Sequence, residues 1–155
     1  MPSTLSLLDK LKTDNPQFTF ITGDTFLWIP ETHTVFYDES APDGDALLLH
    51  EVSHGLLDHQ EYKRDVELLA IEAAAWEKAK QLAKEYSYTL SEAVAEDHLD
   101  TYRDWLHARS TCPECTATGY QSGNEVYSCP ACTMQWRVNE ARVCELRRYK
   151  QKLPL

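Results

Sequence analysis

Five consecutive residues near position 50 have the types and spacing of a metal site. His50-Glu51-Val52-Ser53-His54 follows the pattern HExxH. Residues four apart lie on one face of a helix, so both imidazoles can reach one ion. Glu51 lies beside them, where its carboxylate can take a proton from a metal-bound water that attacks a carbonyl carbon. The spacing therefore predicts that His50 and His54 bind Zn²⁺ and that Glu51 is the catalytic base.

A catalytic zinc site needs a third protein ligand. A third histidine at the spacing HExxHxxGxxH would fall at Gln60, with the glycine at Leu57, so this pattern is not met. We interpret His59 as a helix-end residue or as a residue that supports a ligand. On the next predicted helix, Glu72 lies on an apolar stripe and Glu67 on a stripe that becomes polar. Because a buried carboxylate needs a cation, we predict Glu72 as the third ligand and keep Glu67 as the alternative.

Four cysteines near the C-terminus form two close pairs. Cys112-Pro-Glu-Cys115 and Cys129-Pro-Ala-Cys132 are separated by thirteen residues. Two CxxC turns direct four thiolates at one point, which is the ligand set of a closed tetrahedral zinc site. Such a site has no open position for a substrate, so we predict a structural Zn²⁺ in a zinc ribbon. The alternative interpretation is a disulfide or redox pair.

The elements that position these side chains follow from the periodicity of the sequence. Three strand-like runs, Phe18–Ile21, Phe26–Ile29 and Thr34–Tyr37, predict a three-stranded antiparallel sheet with a hairpin turn at Gly23-Asp24. An apolar segment from about 43 to 58 predicts a buried helix that carries HExxH. Other predicted elements are helices over about 4–12, 65–87 and 90–109, and a short hairpin over 119–127.

The order of these elements predicts an α+β protein with an appended metal module. We expect a zincin-like domain over residues 1–110, a zinc ribbon over 111–138 and a basic C-terminal tail over 139–155. The zincin-like domain would contain the three-stranded sheet, the active-site helix, the helix with Glu72 and one further helix.

The segment LLHEVSHGLLDH, followed by Glu-Ala-Ala-Ala-Trp at 72–76, resembles the gluzincin metallopeptidases. In that family a glutamate on a following helix completes an HExxH zinc site, and the compact size here is similar to minigluzincins and ImmA/IrrE-type peptidases. The resemblance covers about residues 18–87. It implies zinc-dependent hydrolysis of peptide bonds and a strand along the substrate cleft, for which 34–37 is the candidate. Many gluzincins have an aspartate where this chain has Trp76, so another group, such as Asp65, must support the ligands.

Charge and composition limit the classes of function. The net charge is −10, and the acidic excess precedes the ribbon, so the body of the protein would repel nucleic acid. Residues 133–155 carry six basic and two acidic side chains, which keeps nucleic-acid contact through the tail as an alternative, although it is not favoured. No apolar run is long enough for a membrane helix, and Met1–Leu5 lacks the features of a secretory signal. We therefore expect a cytoplasmic protein without a membrane partner.

The leading prediction is a zinc-dependent endopeptidase that hydrolyses peptide or protein substrates, with one catalytic and one structural Zn²⁺. The alternative is a regulatory or interaction protein on a zincin scaffold with little proteolytic activity. Cys144 has no pair. We interpret it as an idle thiol, and the alternative is a thiol that reaches the catalytic zinc and keeps the enzyme latent. The candidates for stabilising the oxyanion are Tyr62, Tyr86, Tyr88 and His98.

Overall fold

The computed structural model describes residues 6–139 and 146–151. This part of the chain has an α+β fold and belongs to two compact units, the first within 1–61 and 71–97 and the second within 62–70 and 98–155. None of the described helices is long and apolar enough to span a membrane. The helices are α1 (Leu7–Asp14), α2 (Gly44–Leu56), α3 (Asp65–Glu85) and α4 (Glu92–Ser110). The strands are β1 (Thr19–Thr22), β2 (Leu27–Ile29), β3 (Thr34–Tyr37), β4 (Tyr120–Gly123), β5 (Val126–Ser128), β6 (Gln135–Val138) and β7 (Arg148–Gln151).

The sheet of the first unit is mixed, and the prediction of an antiparallel sheet is wrong. β3 lies in the centre, where β2 pairs with it antiparallel and β1 pairs with it parallel. The predicted hairpin at Gly23-Asp24 is also wrong, because β1 and β2 are not neighbours. β3 is buried at three of its four positions whereas β1 is largely exposed. The three runs have a similar apolar content, so the sequence did not indicate which of them has two neighbours.

Helix α2 carries the HExxH motif and packs against β2 and β3. Its apolar residues Leu49 and Val52 are fully buried, as the apolar character of the segment predicts. Close packing also depends on Gly55. A Cβ at this position would lie 2.8 Å from Cζ of Phe18 and 2.9 Å from Cζ3 of Trp28. The helix therefore approaches these two rings as closely as it does because position 55 has no side chain.

The other helices begin and end within a few residues of their predicted bounds. Ser6 caps α1, since its hydroxyl accepts a hydrogen bond from the N–H of Asp9 at 3.2 Å. In the first unit, Ala75, Trp76 and Ala79 on α3 are fully buried. The apolar stripe that was used to choose between the two glutamates is therefore the inward face of this helix.

The second unit contains a four-stranded antiparallel sheet in the order β4-β5-β6-β7. The predicted hairpin is confirmed by the antiparallel pairing of β4 and β5. The sequence did not predict β7, which lies in the segment expected to be a basic tail and pairs with β6. The predicted division at 110 and 138 stays a prediction. Cys112, Tyr127, Cys129, Trp136 and Val138 form a cluster of buried apolar residues in the second unit.

Candidate metal centres

Ligand atoms of three residues on α2 and α3 meet in the interior of the first unit. Nε2 of His50 lies 2.8 Å from Oε2 of Glu72 and 3.1 Å from Nε2 of His54, and Nε2 of His54 lies 3.4 Å from Oε1 of Glu72. Zinc ligands at 2.0–2.1 Å in a tetrahedron are separated by about 3.3 Å. All three residues are buried: His50 is 1% exposed, His54 is 7% exposed and Glu72 is 6% exposed. Their spacing, burial and chemistry fit a divalent metal ion.

Glu72, and not Glu67, is the glutamate that contacts these histidines. Five residues separate the two along α3, which turns their side chains about 140° apart around the helix. Glu67 faces solvent, where it accepts hydrogen bonds from the N–H of Lys63 at 3.0 Å and from Nε of Arg64 at 3.2 Å. The helical phase therefore brings Glu72 to the histidines and keeps Glu67 at the surface.

Burial and hydrogen bonding determine the charge of this cluster. Burial alone would raise the pKa of Glu72, but hydrogen bonds from His50 and His54 outweigh it and hold that pKa well below its ordinary value. Burial lowers the pKa of His54, yet the hydrogen bond to Glu72 raises it overall. Glu72 is therefore an ionised carboxylate in the protein interior. Such a group needs a neighbouring cation, which protonated histidines supply and which a bound metal ion would supply when the histidines are neutral.

Glu51 lies beside the cluster and is nearly as buried. Burial raises the pKa of its carboxyl to about 7, while His54 and the backbone N–H of Trp28 favour the ionised form and Glu72 opposes it. A carboxyl group with a pKa near neutrality can both accept and donate a proton at pH 7. The raised pKa is thus compatible with proton transfer by Glu51 at neutral pH.

The histidines are supported by two aromatic side chains. The ring of Trp76 stacks on that of His50 with centroids 4.3 Å apart and planes at 26°. Nδ1 of His59 lies 2.9 Å from Nδ1 of His54, which agrees with the interpretation of His59 as a supporting residue. Asp65, the group suggested from the sequence, has other partners. It accepts hydrogen bonds within the second unit, from Nε of Arg109 at 2.9 Å and from the hydroxyl of Tyr127 at 2.6 Å.

Two of the four oxyanion candidates belong to the first unit, and both face carboxylates. The hydroxyl of Tyr86 donates a hydrogen bond to Oδ2 of Asp14 at 2.5 Å. Burial and two nearby aspartates raise the pKa of Tyr88. Carboxylates repel a developing oxyanion, so these surroundings do not favour that role for either tyrosine, and the oxyanion residue stays a prediction. Tyr62 and His98 belong to the second unit.

In the second unit, four cysteine sulfurs form the other candidate metal site. Sγ of Cys112 lies 3.6 Å from Sγ of Cys132, Sγ of Cys115 lies 3.5 Å from Sγ of Cys129, and all four sulfurs lie within 4.8 Å of one another. A disulfide needs about 2.05 Å, so these are free thiols. Four sulfurs bonded to zinc at 2.3 Å are about 3.8 Å apart. The cluster therefore fits a tetrahedral four-thiolate site.

The two CxxC turns have the same local conformation. Each is followed by a threonine with a left-handed backbone, Thr116 with φ 66° and Thr133 with φ 67°, whose N–H donates to the carbonyl of the first cysteine of the pair. In the second turn, hydrogen bonds from the backbone N–H groups of Cys132 and Ala131 lower the pKa of Cys129 to about 7. The turn thus stabilises the thiolate form that a metal requires.

Comparison with protein-family models, curated proteins and solved structures finds no significant match to this chain. The resemblance to gluzincins consequently rests on HExxH and the following glutamate, and the structure adds that these side chains form a buried cluster. In the C-terminal segment, the guanidinium of Arg137 lies over the ring of Tyr149 at 4.7 Å, and Arg148 donates to the carbonyl of Thr111 at 2.7 Å. Cys144, the cysteine without a pair in the sequence, lies outside the described residues.

Proposed function

We propose that the first unit is a zinc-dependent peptidase centre in which His50, His54 and Glu72 hold the ion. The spacing of their ligand atoms, 2.8 to 3.4 Å, carries this proposal. Two imidazoles and one carboxylate are a ligand set of catalytic zinc sites, which leave a further position open. When bound, Zn²⁺ lowers the pKa of its water towards neutrality and polarises the carbonyl group of a substrate.

Glu51 performs the proton transfers in the proposed reaction. Its carboxylate accepts the proton of the attacking water, and the resulting carboxylic acid delivers that proton to the nitrogen of the leaving amine. The raised pKa of about 7 supports both steps at neutral pH, because neither protonation state is strongly disfavoured. The net reaction consumes one water and cleaves one amide bond.

The open edge of β2 is the proposed contact for a peptide substrate. β2 pairs with β3 on one side only, so its other edge carries no strand among the described residues. An extended peptide can add to such an edge. The strand at 34–37, expected from the family resemblance, is unsuited because it is paired on both sides.

The substitution Glu51→Gln tests the proposal, since it preserves shape but removes the basic oxygen. We expect the variant to retain zinc and to lose about 10²- to 10⁴-fold in the rate of hydrolysis of an unfolded protein such as casein. Glu77→Gln, at an exposed glutamate of α3, is the matched control and should keep full activity. Hydrolysis by the Glu51→Gln protein at the wild-type rate would contradict the role of Glu51. Zinc-loaded wild type without hydrolytic activity would favour the regulatory alternative.

For the second unit we propose a structural zinc ribbon with Cys112, Cys115, Cys129 and Cys132 as ligands. A four-thiolate site has no open position. Cys112 and Cys129 belong to a small apolar cluster, and Cys132 packs against it, so a bound metal would stabilise a core of limited size. Contact of the basic tail with nucleic acid stays a prediction.

A further inference from the structure

We propose that His59 is a positioning residue that holds the ligand His54 in the tautomer needed for metal binding, and that the C-terminal turn of α2 brings it there. This inference rests on the proposed function and extends it to a residue outside the HExxH motif. The two residues are five apart, a separation that does not place side chains on one face of a helix. The end of the helix must therefore account for their contact.

Helix α2 ends in a Schellman motif. The N–H of His59 donates to the carbonyl of His54 at 3.0 Å, and the N–H of Asp58 donates to the carbonyl of Gly55 at 3.1 Å. Asp58 has a φ of 53°, the left-handed conformation that this motif requires at the position after the cap. In the motif, the residue after the left-handed one packs against the residue five before it. These two residues are His59 and His54, so the backbone alone brings their side chains together.

If His54 binds a metal, only one of the two rings can donate the hydrogen bond between His54 and His59. Nε2 of His54 faces His50 and Glu72, and Nδ1 faces Nδ1 of His59 at 2.9 Å. A neutral imidazole carries one proton, so an Nε2 that binds a metal leaves that proton on Nδ1. Nδ1 of His54 therefore donates and Nδ1 of His59 accepts. His59 in turn carries its own proton on Nε2.

This geometry also distinguishes His59 from a metal ligand. The nitrogen of His59 contacts the side of the His54 ring that is turned away from His50 and Glu72, so His59 acts through His54. Ligand histidines usually donate to a carboxylate or a backbone carbonyl, which fixes their orientation. A neutral imidazole does the same without a further negative charge, in a centre that already contains the carboxyl groups of Glu51 and Glu72.

The test compares His59→Phe, which keeps a ring but removes the acceptor, with His59→Asn, which keeps an acceptor near the same place. We expect His59→Phe to weaken Zn²⁺ binding at the first-unit site about 10- to 100-fold in competition with a chelator. We expect His59→Asn to recover at least part of this affinity. Nitrogen NMR of histidine-labelled, zinc-loaded protein should show a hydrogen-bonded Nδ1–H on His54 in wild type and no such signal in His59→Phe. His107→Phe, at an exposed histidine, is the control and should match wild type.

Asp58 gives a second test that leaves the imidazole intact. Asp58→Val disfavours the left-handed backbone and should reproduce the loss caused by His59→Phe, whereas Asp58→Gly permits that backbone and should bind zinc like wild type. Equal affinity in wild type, His59→Phe and Asp58→Val, each with two zinc ions, would overturn the positioning role alone. An equal loss in His59→Phe and His59→Asn with an unchanged His54 tautomer would also overturn it. A wild-type chain that binds zinc only at the cysteines would remove the proposed function as well.

Discussion

Replacement of Gly55 by alanine is expected to destabilise the first unit. The added Cβ would lie 2.8 Å from Cζ of Phe18 and 2.9 Å from Cζ3 of Trp28. Carbon atoms in ordinary contact are at least 3.5 Å apart, so the helix and the rings must separate by about 0.7 Å. The two rings already pack edge to face with centroids 5.0 Å apart, and Trp28 also stacks on His33 at 5.9 Å. The rings therefore have little freedom to move aside.

Two opposing effects determine how much Gly55→Ala changes the free energy of unfolding. Alanine is favoured over glycine in a helix interior by about 1 kcal/mol. Overpacking of a well-packed region costs about 1–3 kcal/mol, and contact with two rings at once favours the upper part of that range. We expect a net decrease of about 1–2 kcal/mol in the free energy of unfolding. For a chain of this size the melting temperature should then fall by about 2–8 °C.

Urea and thermal unfolding of the zinc-loaded proteins measure this effect. Gly23→Ala is the matched control, because a Cβ at that position would meet no atom within 4 Å. Its free energy of unfolding should stay within about 0.5 kcal/mol of wild type. If Gly55→Ala were as stable as Gly23→Ala, the close packing of α2 against Phe18 and Trp28 would be refuted.

Three further predictions concern the two candidate centres and one surface contact. Glu72→Ala should lose one of the two zinc ions after dialysis, while metal analysis of Glu67→Ala should still find both, since Glu67 faces solvent. Cys115→Ser should lower the melting temperature and expose the remaining thiols to a thiol reagent, and unchanged thiol reactivity would contradict the four-thiolate site. Tyr86→Phe removes the hydrogen bond to Asp14 and should cost about 1 kcal/mol at pH 7. Burial and this bond raise the pKa of Tyr86 to about 12, so the contribution should be complete below about pH 10 and lost as the pH rises through 12. Urea unfolding of both proteins at pH 7 and 11.5 should show the difference shrink, and a constant difference would contradict this account.

Features encoded in short segments could be predicted from the sequence. HExxH specifies two imidazoles one helical turn apart, and each CxxC specifies a turn with two thiols, so both motifs indicate their chemistry without knowledge of the fold. The choice of Glu72 required only the period of α3, because the apolar stripe through Ala75 and Ala79 identifies the inward face. The α+β class also followed from local patterns. These signals depend on residues that are close together in the chain.

The sequence by itself therefore determined which side chains have metal-binding chemistry, and the tertiary structure decided how they are arranged and supported. The order of the strands in the first sheet depends on pairing between distant segments. The three runs have similar apolar content, so they do not indicate which strand is central. The stacking of Trp76 on His50 depends on how α3 meets α2. The contact of His59 with His54 depends on the left-handed backbone of Asp58, which no periodicity reveals. The spacing of residues along the chain indicates which side chains can bind one ion. The neighbours that orient those side chains come from long-range packing and from the way each helix ends.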